Sequence, residues 1–407
     1  MKGKRLLRSI QLKNILSYGP ESGSIELEPL NVLIGPNGSG KSNLIEAISI
    51  LKAAPGDLSV PIREGGGIAE WIWKGDQVTD SSLLEIHCNI SALGNDSSLD
   101  YYLRVAPSGY QIIVDAEAIT VENPTDFAPE SGQTYYVKSG KSPHLSVLVE
   151  IEASSNNGHG QHRQNLGITD DDPTQSILAL RKDPDRFPEI TYLGKVFSQI
   201  YFFRNPNFGH RSPLRGPQPA DLPTSFLMEN GGNLGMVLND LLNRPTTKRV
   251  VLEHLRRFYD SVEDVTTKVH AGVVETLFHE RGLREAIPAS RLSDGTLRFL
   301  SLLTILCHPA PPPLVCIEDP ELGLHPDVLP IVAELMIDAS QRTQLIVTTH
   351  SDILVSALSS VPECIIVCEK NDRGTQLRRL EPARLCEWLE KYSLGELWRM
   401  GETGENP

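Results

Sequence analysis

At 407 residues, 40% hydrophobic and 22% charged, the chain has ordinary globular composition and room for two or three domains or lobes. No apolar stretch approaches the roughly 20 residues a membrane span needs, and the basic N-terminal stretch lacks a signal peptide's apolar core, so a cytoplasmic protein with no membrane partner is expected. A net charge of −14 excludes a surface coated for nucleic-acid binding, though not a local basic stripe.

Residues 5–12 and 25–34 read as strands, the second running into the glycine-rich stretch GPNGSGKS at 35–42. Residues 43–53 carry apolar side chains at 44, 45, 48 and 51, the spacing of a helix with one buried face. Strand-like runs at 83–90, 101–105, 110–114 and 145–151 predict an antiparallel β region inserted after that helix. Residues 153–175 and 205–223 read as exposed loops, with helical patterns at 175–182, 191–203, 233–243 and 248–262. In the last of these Val250, Val251, Leu252, Leu255, Phe258 and Tyr259 are expected in the core. From Arg291 the pattern becomes helix 295–307, strand 314–317, helix 328–339 and strand 345–348, closed by a strand at 364–369 and a helix at 382–392. The expected division is 1–152 (first part of an α/β head with a β lobe), 153–284 (loop-rich helical lobe) and 285–407 (second part of the head). Six cysteines without metal-ligand spacing read as reduced, mostly buried thiols.

Four motifs carry chemistry. GPNGSGKS fits G-x-x-x-x-G-K-[ST]: Gly35, Pro36, Asn37, Gly38, Ser39 and Gly40 let backbone N–H groups curl around a phosphate at a helix start that extends to Asn43. Lys41 would reach the β and γ oxygens, and the Ser42 hydroxyl would ligate Mg²⁺. The buried run 314–317 ends in Glu318 and Asp319, placing one carboxylate on the Mg²⁺ shell and the next where it can polarise water. Ser293 and Gly295, in Leu-Ser-Asp-Gly-Thr before an apolar helix, form a helix-start anion site. By itself that stretch also describes an ordinary N-cap. His350, after the buried run 345–348, is expected to sense the γ-phosphate, although a lone histidine after a strand is more often structural.

With these motifs in this order the chain resembles an ABC-type ATPase head of the RecF/SMC group, within the stand-alone AAA-type ATPases often encoded beside nuclease-like partners. GPNGSGKS is similar to that family's Walker A, LSDGT to its signature, CIEDPE to Walker B, Gly323–Pro326 to the D-loop and TTHS to the switch histidine. The resemblance implies a P-loop α/β fold and a homodimer sandwiching two ATP molecules, each signature serine reaching the nucleotide held by the other subunit. It also places Arg63 where such heads hold an arginine that contacts phosphate or DNA, against the plainer reading of a turn arginine. A glutamine equivalent to the transporter Q-loop is not assignable from the sequence, with Gln175 and Gln199 as the positions to examine. The closing 392–398 stretch resembles a tail of the stand-alone relatives. One departure stands out: the usual order is an acidic residue followed by glutamate, and here Asp319 is one methylene, about 1.5 Å, shorter. A misplacement of that size can cost on the order of 100-fold in rate, which predicts slow hydrolysis.

Residues 201–260 hold eight basic side chains against five acidic ones, which makes Arg211 and Arg215 candidate DNA contacts, with solvated helix faces as the alternative. The function expected is thus a slow ATPase acting as a dimerising switch on DNA, or gating an operon-encoded nuclease-like effector, in genome maintenance or phage defence. The competing readings are a nucleotide sensor with negligible turnover and a transporter ATPase subunit.

Overall fold

The computed structural model describes residues 3–75, 83–91, 98–109, 111–121, 134–139, 144–151, 160–167, 172–204, 209 and 212–403. The chain opens with β1 (Leu7–Lys13), β2 (Ile25–Glu26), β3 (Leu30–Ile34), α1 (Lys41–Ala53), α2 (Ser59–Glu64) and α3 (Ile68–Trp71). A run of strands follows: β4 (Leu84–Ser91), β5 (Ser98–Ser108), β6 (Gln111–Val121), β7 (Thr134–Ser139), β8 (His144–Ile151) and β9 (Gly160–Gly167). Then come α4 (Ile177–Leu180), α5 (Pro188–Ser198), β10 (Ile200–Phe203), β11 (Gln218–Pro219), α6 (Leu234–Leu242) and α7 (Pro245–Phe258). A hairpin of β12 (Val262–His270) and β13 (Val273–Glu280) leads through β14 (Ile287–Pro288) to α8 (Asp294–Leu306). The chain ends with β15 (Leu314–Glu318), α9 (Leu329–Ala339), β16 (Gln344–Thr348), α10 (Asp352–Ala357), β17 (Ile365–Asn371), β18 (Gly374–Arg379), α11 (Pro382–Leu389) and α12 (Leu394–Arg399).

The organising element is a six-stranded sheet in the order β10-β15-β16-β3-β17-β18, parallel except for β18. Its central strands read as continuous apolar runs because both faces are covered. Leu30, Val32 and Ile34 of β3, with Val315, Ile317, Leu345 and Val347, face a core completed by α8, α9 and α12. Leu33, Cys316, Ile346 and Ile366 face the opposite core, built from α1, α5 and the eight-stranded antiparallel sheet β2-β1-β4-β5-β6-β7-β8-β9. The buried Gln344 amide ties the two sheets together, and the buried Asn31 amide braces the six-stranded sheet from within. Gln344 accepts from the Leu6 and Leu7 amides and donates to the Leu7 carbonyl, and Asn31 donates to Leu345 O. A third sheet, β11-β13-β12 with β14 beside β13, lies against α6 and α7.

The α/β expectation holds, and so does the antiparallel region, although the latter begins with β1 and β2. The predicted strand 25–34 is two strands in different sheets: Pro29 intervenes, β2 pairs with β1, and β3 pairs with β16 and β17. The predicted helix 191–203 ends at Ser198, and the last four residues, Ile-Tyr-Phe-Phe, form β10 alongside β15. A short aromatic and β-branched run looks alike in a buried helix and a buried strand, so periodicity could not separate them. Within the predicted loops lie β9 and β11. Residues 153–284, expected as a helical lobe, also hold the β12–β13 hairpin, whose outer strand is too polar to show alternation. The short elements α2, α3, β18 and α12 were likewise not anticipated. Five of the six cysteines, Cys88, Cys307, Cys316, Cys364 and Cys368, are free and buried. Among the described residues no group of side chains could hold a metal through His/Cys/Asp/Glu clustering, and no helix is long and apolar enough to cross a membrane.

Candidate nucleotide site

In a parallel sheet the loops at the carboxyl ends of the strands converge on one edge. Here that edge carries the 35–40 loop after β3, Glu318 and Asp319 at the end of β15, Thr349 and His350 after β16, and Arg204 after β10.

The loop after β3 owes its shape to glycine. Gly35, Gly38 and Gly40 have φ of 144°, 79° and 100°, the left-handed region that L side chains avoid. A Cβ on Gly40 would also collide with Thr375 and Ser17, and one on Gly35 with the Cys368 carbonyl. Residues remote in sequence hold the loop: Tyr18 Oη donates to Gly40 O at 3.1 Å, and Thr375 Oγ1 donates to Ser39 O at 2.8 Å. Lys41 is buried, and its Nζ donates to the carbonyls of Gly35 at 2.7 Å and Pro36 at 3.0 Å. Burial pushes its ammonium down, while Asp319 and Glu321 nearby oppose that shift. Asn37, Gly38 and Ser42 are exposed, Pro36 and Asn43 partly so, and Ser39 is buried. α1 starts with no side-chain cap, so its first N–H groups remain available to an anion.

At the end of β15, Glu318 Oε1 lies 3.0 Å from Arg204 Nε. Burial pushes this carboxyl up, Arg204 pulls it down, and Asp319 and Glu46 push it up again. Asp319 sits at φ 44°, a left-handed conformation that aspartate and asparagine tolerate better than longer side chains. Thr348 Oγ1 donates to Asp319 Oδ1 at 3.1 Å, and Arg298 Nη2 of α8 donates to Asp319 O at 2.7 Å. Glu321, two residues on, accepts from Thr349 Oγ1 and from the His350 amide. The His350 side chain is exposed.

Ser293 is the N-cap of α8, accepting from Thr296 N at 3.1 Å, and it is exposed. Gly295 packs against the Gly323 carbonyl, bringing the signature stretch against the D-loop stretch of the same chain. Arg215 is built into this structure: its Nη1 donates to Leu292 O at 2.6 Å and its Nη2 pairs with Asp294. The candidate DNA contact Arg215 is therefore a brace of the signature loop, and Arg211 lies outside the described residues. The basic excess of 201–260 is largely consumed in the same way. Arg204 pairs with Glu318, Arg244 with Asp240, Lys248 with Asp264 and Arg257 with Glu334, while Arg256 donates to the Glu263 carbonyl.

Arg63 lies on α2 with its side chain 71% exposed, donating to Ser59 Oγ at 2.6 Å and lying beside Asp57. Gln175 donates to Asp172, and Gln199 precedes β10, at the opposite end of that strand from the site. Neither glutamine reaches Glu318. The position after β10 that does so is Arg204, which pattern reading missed because β10 itself was read as helix.

These residues fit a magnesium nucleotide. The glycine cradle, the uncapped α1 N-terminus and the Lys41 ammonium suit phosphate, and the Ser42 hydroxyl with the Glu318 carboxylate supplies hard oxygen donors of the kind Mg²⁺ takes. The Ser39 hydroxyl and Glu321 Oε2 are buried without a hydrogen-bond partner, as polar groups facing a ligand would be.

A family model described as "AAA domain, putative AbiEii toxin, Type IV TA system" matches residues 30–110 and 165–356, more than half of the chain. Among curated proteins, the DNA replication and repair protein RecF of Bacillus thuringiensis (strain Al Hakam) and that of Bacillus cereus (strain B4264) are each 33% identical over 129 residues. That alignment takes in 30% of this chain and 31% of each RecF, so it spans under a third of those relatives. The fold is similar to that of an SMC head bound to the C-winged helix domain of ScpA, with a TM-score of 0.58, 15% identity and coverage of 93% of this chain and 99% of the other. It is also similar to an SMC head with an extended coiled coil bound to the C-terminal domain of ScpA from Pyrococcus furiosus (TM-score 0.53, 12% identity, 95% and 99% coverage). The chain thus belongs to this AAA-domain family, and its fold is that of an SMC head.

Proposed function

We propose, from the premise that this chain belongs to the AAA-domain family matched above, that it is a slow ATPase whose ATP-bound form closes as a two-fold dimer. We further propose that closure acts on DNA or gates a nuclease-like partner from a cytoplasmic location. The observation that carries this reading is the single sheet edge on which the 35–43 loop, Glu318, Asp319 and His350 meet. Lys41 and the loop amides hold the phosphates. Ser42 and Glu318 would hold Mg²⁺, which would supply charge neutralisation to the phosphates. Asp319 orients the attacking water and accepts its proton, and His350 meets the γ-phosphate. The exposed Ser293 at the start of α8 is the group each subunit offers to its neighbour's nucleotide, so each working site draws on both chains. RecF relatives named for DNA replication and repair support the DNA branch, while the matched family is described as a toxin of a type IV toxin–antitoxin system.

One test separates these parts. Lys41→Ala should lose binding of both ATP and ADP by 100-fold or more, on the order of the loss from removing a buried charge-assisted phosphate contact. Ser293→Arg should bind ATP yet hydrolyse none, and mixing it with Lys41→Ala should restore up to one working site per dimer. Full activity of Ser293→Arg alone, or an ATP-loaded Asp319→Asn protein that stays at the 44.9 kDa monomer mass, would sink the sandwich. A sensor with negligible turnover is the second reading, favoured by the Arg204–Glu318 pair at the metal-binding carboxylate.

A further inference from the structure

Glu321 has no role in the motif reading, yet it is the best-connected carboxylate of the site. It sits in a tight turn closed by Leu322 N donating to Asp319 O at 3.1 Å, with Pro320 at the position where proline pre-sets the turn. The turn points Glu321 back across the sheet edge to the end of β16. There Oε1 accepts two hydrogen bonds, from Thr349 Oγ1 at 2.7 Å and from the His350 backbone N–H at 2.8 Å. The second oxygen, Oε2, is buried without a partner. The charged groups facing this carboxyl are Lys41 of α1, Arg298 of α8 and Asp319 of its own turn.

Burying a carboxylate with one unpaired oxygen is costly. A purely structural joint between two loops could use a neutral acceptor and avoid that cost. What a carboxylate adds is strength, because hydrogen bonds to an ionised acceptor are roughly twice as strong as neutral ones. The joint is made at the backbone of the exposed His350 and not at its ring, so it fixes where the imidazole starts from and leaves the ring free for a ligand.

We infer that Glu321 is the positioning residue of the switch: it anchors the His350 backbone to the turn carrying Asp319, so discrimination between ATP and ADP depends on the Glu321 joint. This rests on the reading of His350 as the residue that meets the γ-phosphate. The two neighbours Thr348 and Thr349 act in the same sense, Thr348 on Asp319 and Thr349 on Glu321, so three consecutive residues at the end of β16 are tied to the turn after β15.

The test measures affinity for ADP and for an imido-bridged, non-hydrolysable ATP analogue, in the full chain with Mg²⁺. Loss of a hydrogen bond to a charged group predicts that Glu321→Ala lowers the analogue-to-ADP affinity ratio about tenfold. Glu321→Gln keeps an acceptor oxygen and should lower the ratio less than Glu321→Ala. Glu321→Asp keeps the charge but cannot span both donors, and should resemble Glu321→Ala. It also serves where the alanine variant fails to fold. The decisive arm is a cycle with His350→Ala: the double variant should have the same ratio as His350→Ala alone, because both remove one function. The inference is overturned if Glu321→Ala and Glu321→Asp keep the native ratio, or if the two losses multiply. Lys41→Ala, run in parallel, keeps the failures apart. Retained ATP and ADP affinity there defeats the nucleotide-site reading itself, whereas lost affinity there with an unchanged ratio in the Glu321 variants defeats only this inference.

Discussion

The parallel six-stranded sheet and the antiparallel eight-stranded sheet share a core boundary but use buried carboxylates in opposite ways. In the parallel sheet the acids cluster at one edge and are left incompletely paired: Glu318 leans on a half-exposed arginine, and Glu321 keeps a bare oxygen. In the antiparallel sheet Glu117 of β6 is fully enclosed and saturated. It accepts from Tyr101 Oη at 2.8 Å, Ser176 Oγ at 2.5 Å and the Ile177 amide at 2.9 Å, tying that sheet to α4. Both settings push the carboxyl up through burial. A shifted carboxyl is therefore no sign of chemistry by itself. The sign is unused bonding capacity at a strand's carboxyl end.

The largest expected effect lies at Asp319. Asp319→Asn should bind ATP with native affinity and lose turnover by 100-fold or more in a phosphate-release assay, as removal of a positioned general base does. Asp319→Glu sharpens the point. The left-handed backbone and the Thr348 bond match the shorter side chain, so we expect about a tenfold loss, at the lower end of what a misplaced catalytic group costs. A gain in turnover would mean that Asp319 is simply too short.

A smaller effect is expected at Arg204. Its guanidinium competes with Mg²⁺ for Glu318, so Arg204→Ala should lower the Mg²⁺ concentration for half-maximal nucleotide binding several-fold, of the order of a partly exposed ion pair. An unchanged Mg²⁺ titration would show the pair to be incidental. The smallest effect belongs to the antiparallel sheet. Because the folded-state Glu117 carboxyl is raised above its ordinary 4.5, its contribution to stability is fully present below that value and is lost as pH rises through the folded value. Glu117→Gln should flatten that decline in urea unfolding, leave ATP binding untouched, and change stability at neutral pH by only about 1 kcal/mol. Loss of ATP binding there would erase the contrast between the two sheets.

The contrast also marks what could be read from sequence. GPNGSGKS was legible because loop, lysine and helix start are contiguous, and the carboxylates because they follow a continuous apolar strand. Asp319 stands out in the sequence by its shorter side chain, but its left-handed backbone is a property of the turn and leaves no trace in residue spacing. Arg204 was hidden because four residues, Ile-Tyr-Phe-Phe, could be helix or strand until β15 was available to pair with them. Arg215 looked like a surface cation because nothing local reveals that Asp294 lies beside it. Tyr18 and Thr375, which hold the phosphate loop, could not be found at all without the fold. The closing 392–398 stretch likewise gains a place: Gly395 lets α12 press against α10 at the Asp352 carbonyl, and Arg399 pairs with Asp352, just past His350.

The Thr375 brace has a consequence for the order in which the protein becomes competent. Its hydroxyl bonds to Ser39 O across 336 positions, and its amide donates to Ser17 O at 2.8 Å. The GPNGSGKS segment is therefore made well before the strand that supports it. Until β18 has emerged and paired, that loop lacks the Thr375 brace, and in the proposed function nucleotide would not be held firmly before then.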